Sequence, residues 1–119
     1  MKKLEIIIKP ERLDDLKTIL NSCNAHGLMI TNIMGYGIQR GHKREYNGID
    51  FGGNLLPKVK VETIVSDEIS EEIINLVIDK INTGTYGDGK IFIYDVENVV
   101  KIRTGEEGYE ALQDEPIEA

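Results

Sequence analysis

Apolar and polar residues alternate along the opening stretch KLEIIIK, and its isoleucine content predicts a first strand. Pro10 follows, where a first helical turn tolerates proline, with Glu11 beside it to favour the positive end of a helix. Leu13, Leu16, Leu20 and Cys23 recur three or four apart, so they share one face of an amphipathic helix that ends near Asn24 to Gly27. LMITNIMGYGI predicts a second strand. KVKVETIV alternates again, with Val59, Val61, Thr63 and Val65 on one face and Lys60 and Glu62 on the other, which predicts a half-exposed strand. Asp67 or Ser70 is suited to cap a second helix, whose apolar stripe is Ile74, Val77, Ile78 and Ile81. TGTYGDG is a turn with three glycines, KIFIYDV a further strand, and VVKIRT a last short one. No internal repeat stands out.

The order strand, helix, strand, strand, helix, strand is that of the split βαβ, ferredoxin-like α+β arrangement. Its antiparallel sheet carries both helices on one face. An open face that holds apolar residues calls for a partner, so the pattern predicts an oligomer. The 119 residues suffice for a single domain, 1–119, with a modest core. This fold hosts many functions, so function has to be argued from sites.

No apolar run is long enough to span a membrane. MKKLEIIIKPERL starts basic and turns apolar, but the apolar part is short and ends at Lys9-Pro10-Glu11 without a small-residue cleavage site; it is expected to be a strand of a cytoplasmic protein. Cys23 is the single cysteine, so an internal disulfide is impossible, and its helical spacing predicts a buried inert thiol. His26 and His42 lack partners at zinc-ligand spacing and are expected to be solvated. The net charge of −7 weighs against a nucleic-acid binder. It is unevenly spread: residues 104–119 hold six acids and no Lys or Arg, whereas residues 39–60 hold five cations against two acids, locally +3. A basic island in an acidic chain suits an anionic ligand or a charged partner.

That island lies in GYGIQRGHKREYNGIDFGGNLLPKVK, a long segment too polar and glycine-rich for a core yet flanked by strands. Gly35, Gly37 and Gly41 would let backbone N–H groups approach phosphate oxygens. Their spacing is neither the dinucleotide fingerprint nor the P-loop, and no helix follows, so a strand-to-loop hinge explains them more simply. In TGTYGDGKIF, Gly87 and Gly89 flank Asp88 and Lys90 follows at a strand start. Flexible backbone donors beside a fixed ammonium suit a phosphate; a tight turn with a solvated lysine explains the same residues equally well. Lys101 and Arg103 in KIRTG lie two apart on an extended segment, so they share a face. With Lys90 and Lys58 they make four cations for a triphosphate, a convergence that spacing leaves open.

Over nearly its whole length the chain resembles the nitrogen regulatory PII signal-transduction proteins. KKLEIIIKPERLDDLK, GYGIQRG, LPKVKVE and above all TGTYGDGKIFIYDVENVVKIRTGE carry the likeness. The resemblance implies a homotrimer of ferredoxin-like subunits whose long loop, the T-loop at about 37–57, contacts partner proteins, followed by an acidic C-terminal tail at about 104–119. It implies ATP and ADP competing for a cleft between subunits. Gly87, Asp88, Gly89 and Lys90 would cradle the phosphates, Lys101 and Arg103 would complete the cation cluster from the neighbouring chain, and Gly37, Ile38 and Gln39 would enclose the nucleotide. Met29 and Ile64 would lie near adenine and ribose. Gln39 would ligate Mg²⁺, which bridges ATP to 2-oxoglutarate; Gln39, Arg40 and Gly41 would contact 2-oxoglutarate through their backbone, and Lys58 would pair with its distal carboxylate. The function implied is a non-enzymatic sensor of nitrogen, carbon and energy status acting on an ammonium transporter or a nitrogen-metabolism enzyme or regulator, with membrane contact only through a transporter and no nucleic acid.

The chain also departs from that family's pattern. The modified loop is YNGIDF, where Phe51 replaces the uridylylated tyrosine and Ile49 a phosphorylated serine, and neither has an acceptor hydroxyl. Tyr46 remains but is not the usual target. Asn47 replaces the arginine that enters a transporter pore, with Arg44 and Lys43 as the nearest substitutes. Ile38 stands for an arginine near the terminal phosphate, Met29 for a threonine, and Lys101 for an arginine fork, which implies weaker discrimination of ATP from ADP. Two other functional classes compete. One is a relative that senses adenine nucleotides alone, or a small nucleotide hydrolase; for the latter, no base is paired with a nucleophile and Asp88 in a glycine turn is a poor base. The other is an RNA-binding sheet, whose aromatic pattern is absent.

Overall fold

The computed structural model describes residues 1–25, 27–36, 45–46, 49–50 and 55–113. In chain order the elements are β1 (Lys2–Ile8), a 3₁₀ turn (Pro10–Arg12), α1 (Leu13–Ser22), β2 (Leu28–Tyr36), the two-residue pair β3 (Glu45–Tyr46) and β4 (Ile49–Asp50), β5 (Leu55–Val65), α2 (Asp67–Ile81), β6 (Lys90–Asp95) and α3 (Tyr109–Leu112). The main sheet has the order β2-β5-β1-β6, and every neighbouring pair is antiparallel. β1 and β2 therefore straddle β5, while β5 and β6 straddle β1. This is the interlocked split βαβ arrangement that the pattern of elements predicts.

Local chemistry sets the element ends. Pro10 enters a 3₁₀ turn closed by Arg12 N–H to the Lys9 carbonyl at 3.0 Å, so α1 proper starts only at Leu13. Asn24 has φ +61, and Ala25 N–H returns to the Leu20 carbonyl at 2.9 Å, a left-handed stop just past the helix. Ser66, rather than Asp67 or Ser70, caps α2: it is extended and accepts from Ile69 N–H at 3.3 Å. Asp67 is already helical and pairs with the N-terminal amine at 3.1 Å, and Ser70 is buried inside the helix.

The core lies between the helices and one sheet face. Leu4, Ile6 and Ile8 of β1 and Val59, Val61, Thr63 and Val65 of β5 are buried against Leu16, Ile19, Leu20 and Cys23 from α1 and its end. Burial pushes the Cys23 thiol up, as an inert core cysteine requires. On α2 the buried line is Ser70, Ile73, Val77 and Ile81, with Ile74 partly covered. Ile78, expected in the stripe, is 56% exposed, and Ile73 takes its place. Both belong to one wide apolar arc, and the sheet selects the edge it covers.

The opposite sheet face is not a uniform apolar surface. Strand alternation brings Lys3, Glu5, Lys60 and Glu62 to its centre. Lys3 reaches Glu62 at 2.9 Å, Lys60 lies 3.5 Å from Glu62 and 3.8 Å from Glu5, and the Tyr94 hydroxyl donates to Glu5 at 3.0 Å. Ile7, Ile33, Ile64 and Phe92 flank this charged ladder. VVKIRT does not form a strand. Val100 and Glu107 make an isolated bridge, and Lys101 closes a turn through its N–H to Glu106 and its carbonyl to Gly105. Of the acidic tail, residues 104–113 are described, and they contain α3. β5 starts at Leu55, inside the segment expected to be loop. Among the described residues no helix is long and apolar enough to cross a membrane.

The choice of stripe is measurable. Ile73→Ala should cost roughly 2–5 kcal/mol in urea unfolding, and Ile78→Ala less than about 1 kcal/mol. Equal losses would contradict the described packing of α2.

Candidate functional site

The turn between α2 and β6 is organised by Asp88. Its carboxylate accepts from the Thr83 hydroxyl, from Thr83 N–H at 2.8 Å, from Gly84 N–H at 3.1 Å and from the Thr85 hydroxyl at 3.3 Å. These donors, the Thr83 hydroxyl first, hold the Asp88 carboxyl down at about 2. Asp88 is thus spent on building the loop, and its carboxylate is not offered to an anion. Gly87 and Gly89 on either side have φ +91 and +117. A Cβ on Gly89 would lie 1.8 Å from the Ile7 carbonyl oxygen, so the loop rests directly on β1.

Three ammonium groups surround this glycine loop. Lys90 is exposed at the first position of β6. Lys58 Nζ donates to the Gly87 carbonyl at 2.8 Å, and its stem passes Gly35, where a Cβ would come within 3.1 Å of Lys58 Cγ. Burial, and then the charge of Lys9, pushes the Lys58 ammonium below the usual lysine range. Lys9 lies 3.9 Å from the Asp88 carboxylate. The sequence gives little sign of Lys9, because it belongs to the strand end before Pro10 and its nearness depends on the pairing of β1 with β6. Three cations and a glycine backbone at positive φ form a fitting environment for phosphate oxygens.

The other expected residues gather elsewhere. Met29 and Ile64 line a groove of about 650 Å³ together with Ser66, Ile69, Tyr109 and Leu112. Gln113 also lines it, and the Gln113 carbonyl accepts from Lys101 Nζ at 3.1 Å, so Lys101 stands beside this groove. Arg103 is exposed on the turn that follows. Along β5, Lys58 and Ile64 are six residues apart, roughly 20 Å at the rise of a strand. One chain therefore brings Lys58 together with Gly87–Lys90, and Met29 and Ile64 together with Lys101, but holds the two sets at opposite ends of its sheet. The walls from α3 are absent from the sequence expectations, because a four-residue helix leaves no periodic signal. Gly37, Ile38, Gln39, Arg40, Gly41 and Phe51 lie outside the described residues, as do His26, Lys43, Arg44 and Asn47.

The loop's internal bonds make its stability depend on pH. The Asp88 pKa falls from an ordinary 3.8 to about 2 on folding, so its contribution is full above pH 3.8 and is lost as pH falls towards 2. Asp88→Ala should therefore unfold at lower urea than the parent at pH 7, with the gap closing between pH 4 and pH 2. A gap that stays constant over that range would show that the carboxylate does not brace the loop.

Comparison with known proteins places this geometry in a family. The family model described as nitrogen regulatory protein P-II matches residues 1–106. The chain is 46% identical to the nitrogen regulatory protein P-II of Pasteurella multocida and 45% identical to that of Haemophilus influenzae. It is 43% identical to nitrogen regulatory protein P-II 1 of Escherichia coli K12. Each match extends over 112 residues, which is 94% of this chain and the whole of the relative. Members of this family are signalling regulators rather than enzymes, and they act through partner proteins. The chain belongs to the nitrogen regulatory protein P-II family.

Proposed function

We propose that this P-II protein is a homotrimeric sensor that binds ATP or ADP at the seams between subunits and reports the occupancy through residues 37–57. The observation that carries the proposal is the division of the expected nucleotide residues into two half-sites at opposite ends of one sheet. A single nucleotide is too short to engage both ends of one chain. It fits if the glycine loop of one subunit faces the groove of the next. Gly87, Gly89, Lys90 and Lys58 then receive the phosphates from one side. Met29 and Ile64 of the other subunit line the base and ribose, with its Lys101 and Arg103 adding charge. In this arrangement the Asp88 carboxylate shapes the cradle, and Asp88 joins Gly87, Gly89 and Lys90 around the phosphates through its main chain.

Mg²⁺ favours hard oxygen ligands and commonly keeps phosphates in its shell. Asp88 is already committed to the loop, so Gln39 and the phosphates would hold the metal. The bound metal would link ATP to 2-oxoglutarate, with Gln39, Arg40, Gly41 and Lys58 forming the effector's contacts. ATP and 2-oxoglutarate would then support each other's binding reciprocally, by about 1–3 kcal/mol. The partners in this proposal are an ammonium transporter or a nitrogen-metabolism enzyme or regulator. Uridylylation at position 51 is ruled out by chemistry, because Phe51 has no hydroxyl. Hydrolysis of the nucleotide is disfavoured for a related reason: an Asp88 held at about 2 is a very weak base.

Native mass measurement should give three chains per particle. Lys90→Met should weaken ATP binding at least about tenfold by calorimetry, since it removes a charge-assisted contact. Titration of 2-oxoglutarate should release heat with Mg-ATP and not with Mg-ADP or without nucleotide. Gln39→Ala should abolish that heat while nucleotide binding persists. An intact 2-oxoglutarate response in Gln39→Ala would remove the metal bridge from the proposal, and a monomer that binds ATP normally would remove the shared site.

A further inference from the structure

The contact between Lys101 and Gln113 has a consequence for ligand entry. Lys101 is a cation expected to meet polyphosphate, yet its ammonium donates to the Gln113 main-chain carbonyl at 3.1 Å. Gln113 also lines the groove that contains Met29 and Ile64, as do Tyr109 and Leu112 of α3. One short segment therefore walls the groove and engages the neighbouring cation. The family model stops at residue 106, although the matches to individual relatives run over 112 residues.

The start of the segment is held by side-chain and main-chain bonds, its far end by the Lys101 contact. Gly108, with φ +77, donates its N–H to the Val99 carbonyl at 3.0 Å and to Asn98 Oδ1 at 3.2 Å, and Asn98 Nδ2 donates to Glu107 at 3.1 Å. This clasp fixes the start of α3. Beyond it, Ala111 N–H bonds to Gly108 and Gln113 N–H to Glu110, both within the segment itself. A four-residue helix has little intrinsic stability, so its far end can move without disturbing the core.

We propose that Tyr109–Gln113 is an intrachain gate on the nucleotide site: the Gln113 carbonyl occupies Lys101, and a polyphosphate has to displace it. The gate rests on the nucleotide reading given above. A carbonyl dipole is a weaker partner for an ammonium than a phosphate oxygen is. The exchange is thus favourable, but affinity is reduced by what the internal contact already supplied, and an anion that engages Lys101 releases the segment for contacts elsewhere.

The test compares the full chain with a chain ending at Leu112 as its C-terminal amide, so that no new carboxylate is placed beside Lys101, titrating ATP and inorganic tripolyphosphate at one fixed ionic strength. The shortened chain should bind both at least about fivefold tighter, the scale of one ordinary hydrogen bond. The gain should vanish when Lys101→Met is present in both chains. A full-length variant with Asp114→Asn, Glu115→Gln and Glu118→Gln separates tail charge from the carbonyl contact. If it gains as much as the shortened chain, the gate is overturned. Equal or weaker binding by the shortened chain overturns the gate and leaves the nucleotide site standing. Binding by the shortened chain alone supports both, and binding by neither chain removes the nucleotide site and the gate together.

Discussion

Gly89 has no room for a side chain, because a Cβ would fall 1.8 Å from the Ile7 carbonyl oxygen. That constraint presses the turn between α2 and β6 onto the sheet. It determines where Asp88 collects its donors, where the Gly87 carbonyl meets Lys58, and where Lys90 enters β6. The loop's shape is therefore set by contacts within the chain, which is what the proposed phosphate cradle requires. A site that is already ordered does not lose conformational entropy on binding, and more of its contact energy appears as affinity. The same closeness ties function to folding, since the cradle is an extension of the core strand β1 rather than an appendage.

Much of the fold was legible in the sequence. Alternation in KLEIIIK and KVKVETIV and the three-to-four spacing from Leu13 to Cys23 are direct consequences of burial on one face, and the strands and helix they predict are present. The details that went astray are those that depend on a neighbour. Whether Ile73 or Ile78 is buried is decided by how α2 sits on β1, and Ser66 caps because Asp67 is already helical. The sequence pattern predicts apolar residues on the open sheet face and reads only Lys60 and Glu62 onto one face of β5; the ladder they form with Lys3 and Glu5 requires the register of β1 against β5.

The site was legible in a different way. GDGK announces a glycine loop with a lysine, yet composition balanced a phosphate cradle against a simple turn. The structure supplies reasons for the glycines and gives Asp88 a bracing role that the sequence did not separate from ligand contact. Lys9 and the walls from α3 carried no periodic or motif signal, since both enter through tertiary placement. That Lys58 and Lys101 stand at opposite ends of the sheet follows from strand length, and no motif states it.

This separation has a mechanical implication for signalling. The glycine loop rests on β1, whereas Lys58 projects from β5 close to Gly35, where β2 runs towards the long segment. Lys58 therefore touches the glycine loop through Gly87 and the end of β2 through the space Gly35 leaves open. A ligand that draws the ammonium away from the Gly87 carbonyl changes both contacts at once. The core need not rearrange, because Val59 and Val61 beside Lys58 stay buried on the other face. Under the proposed function, a Lys58 that exchanged the Gly87 carbonyl for a bound anion would couple the ligand to the segment after β2 at the roughly 1–3 kcal/mol typical of regulatory coupling. The burial that lowers the Lys58 pKa also strengthens whichever partner it holds, since a partly desolvated charge interacts more strongly than one in water.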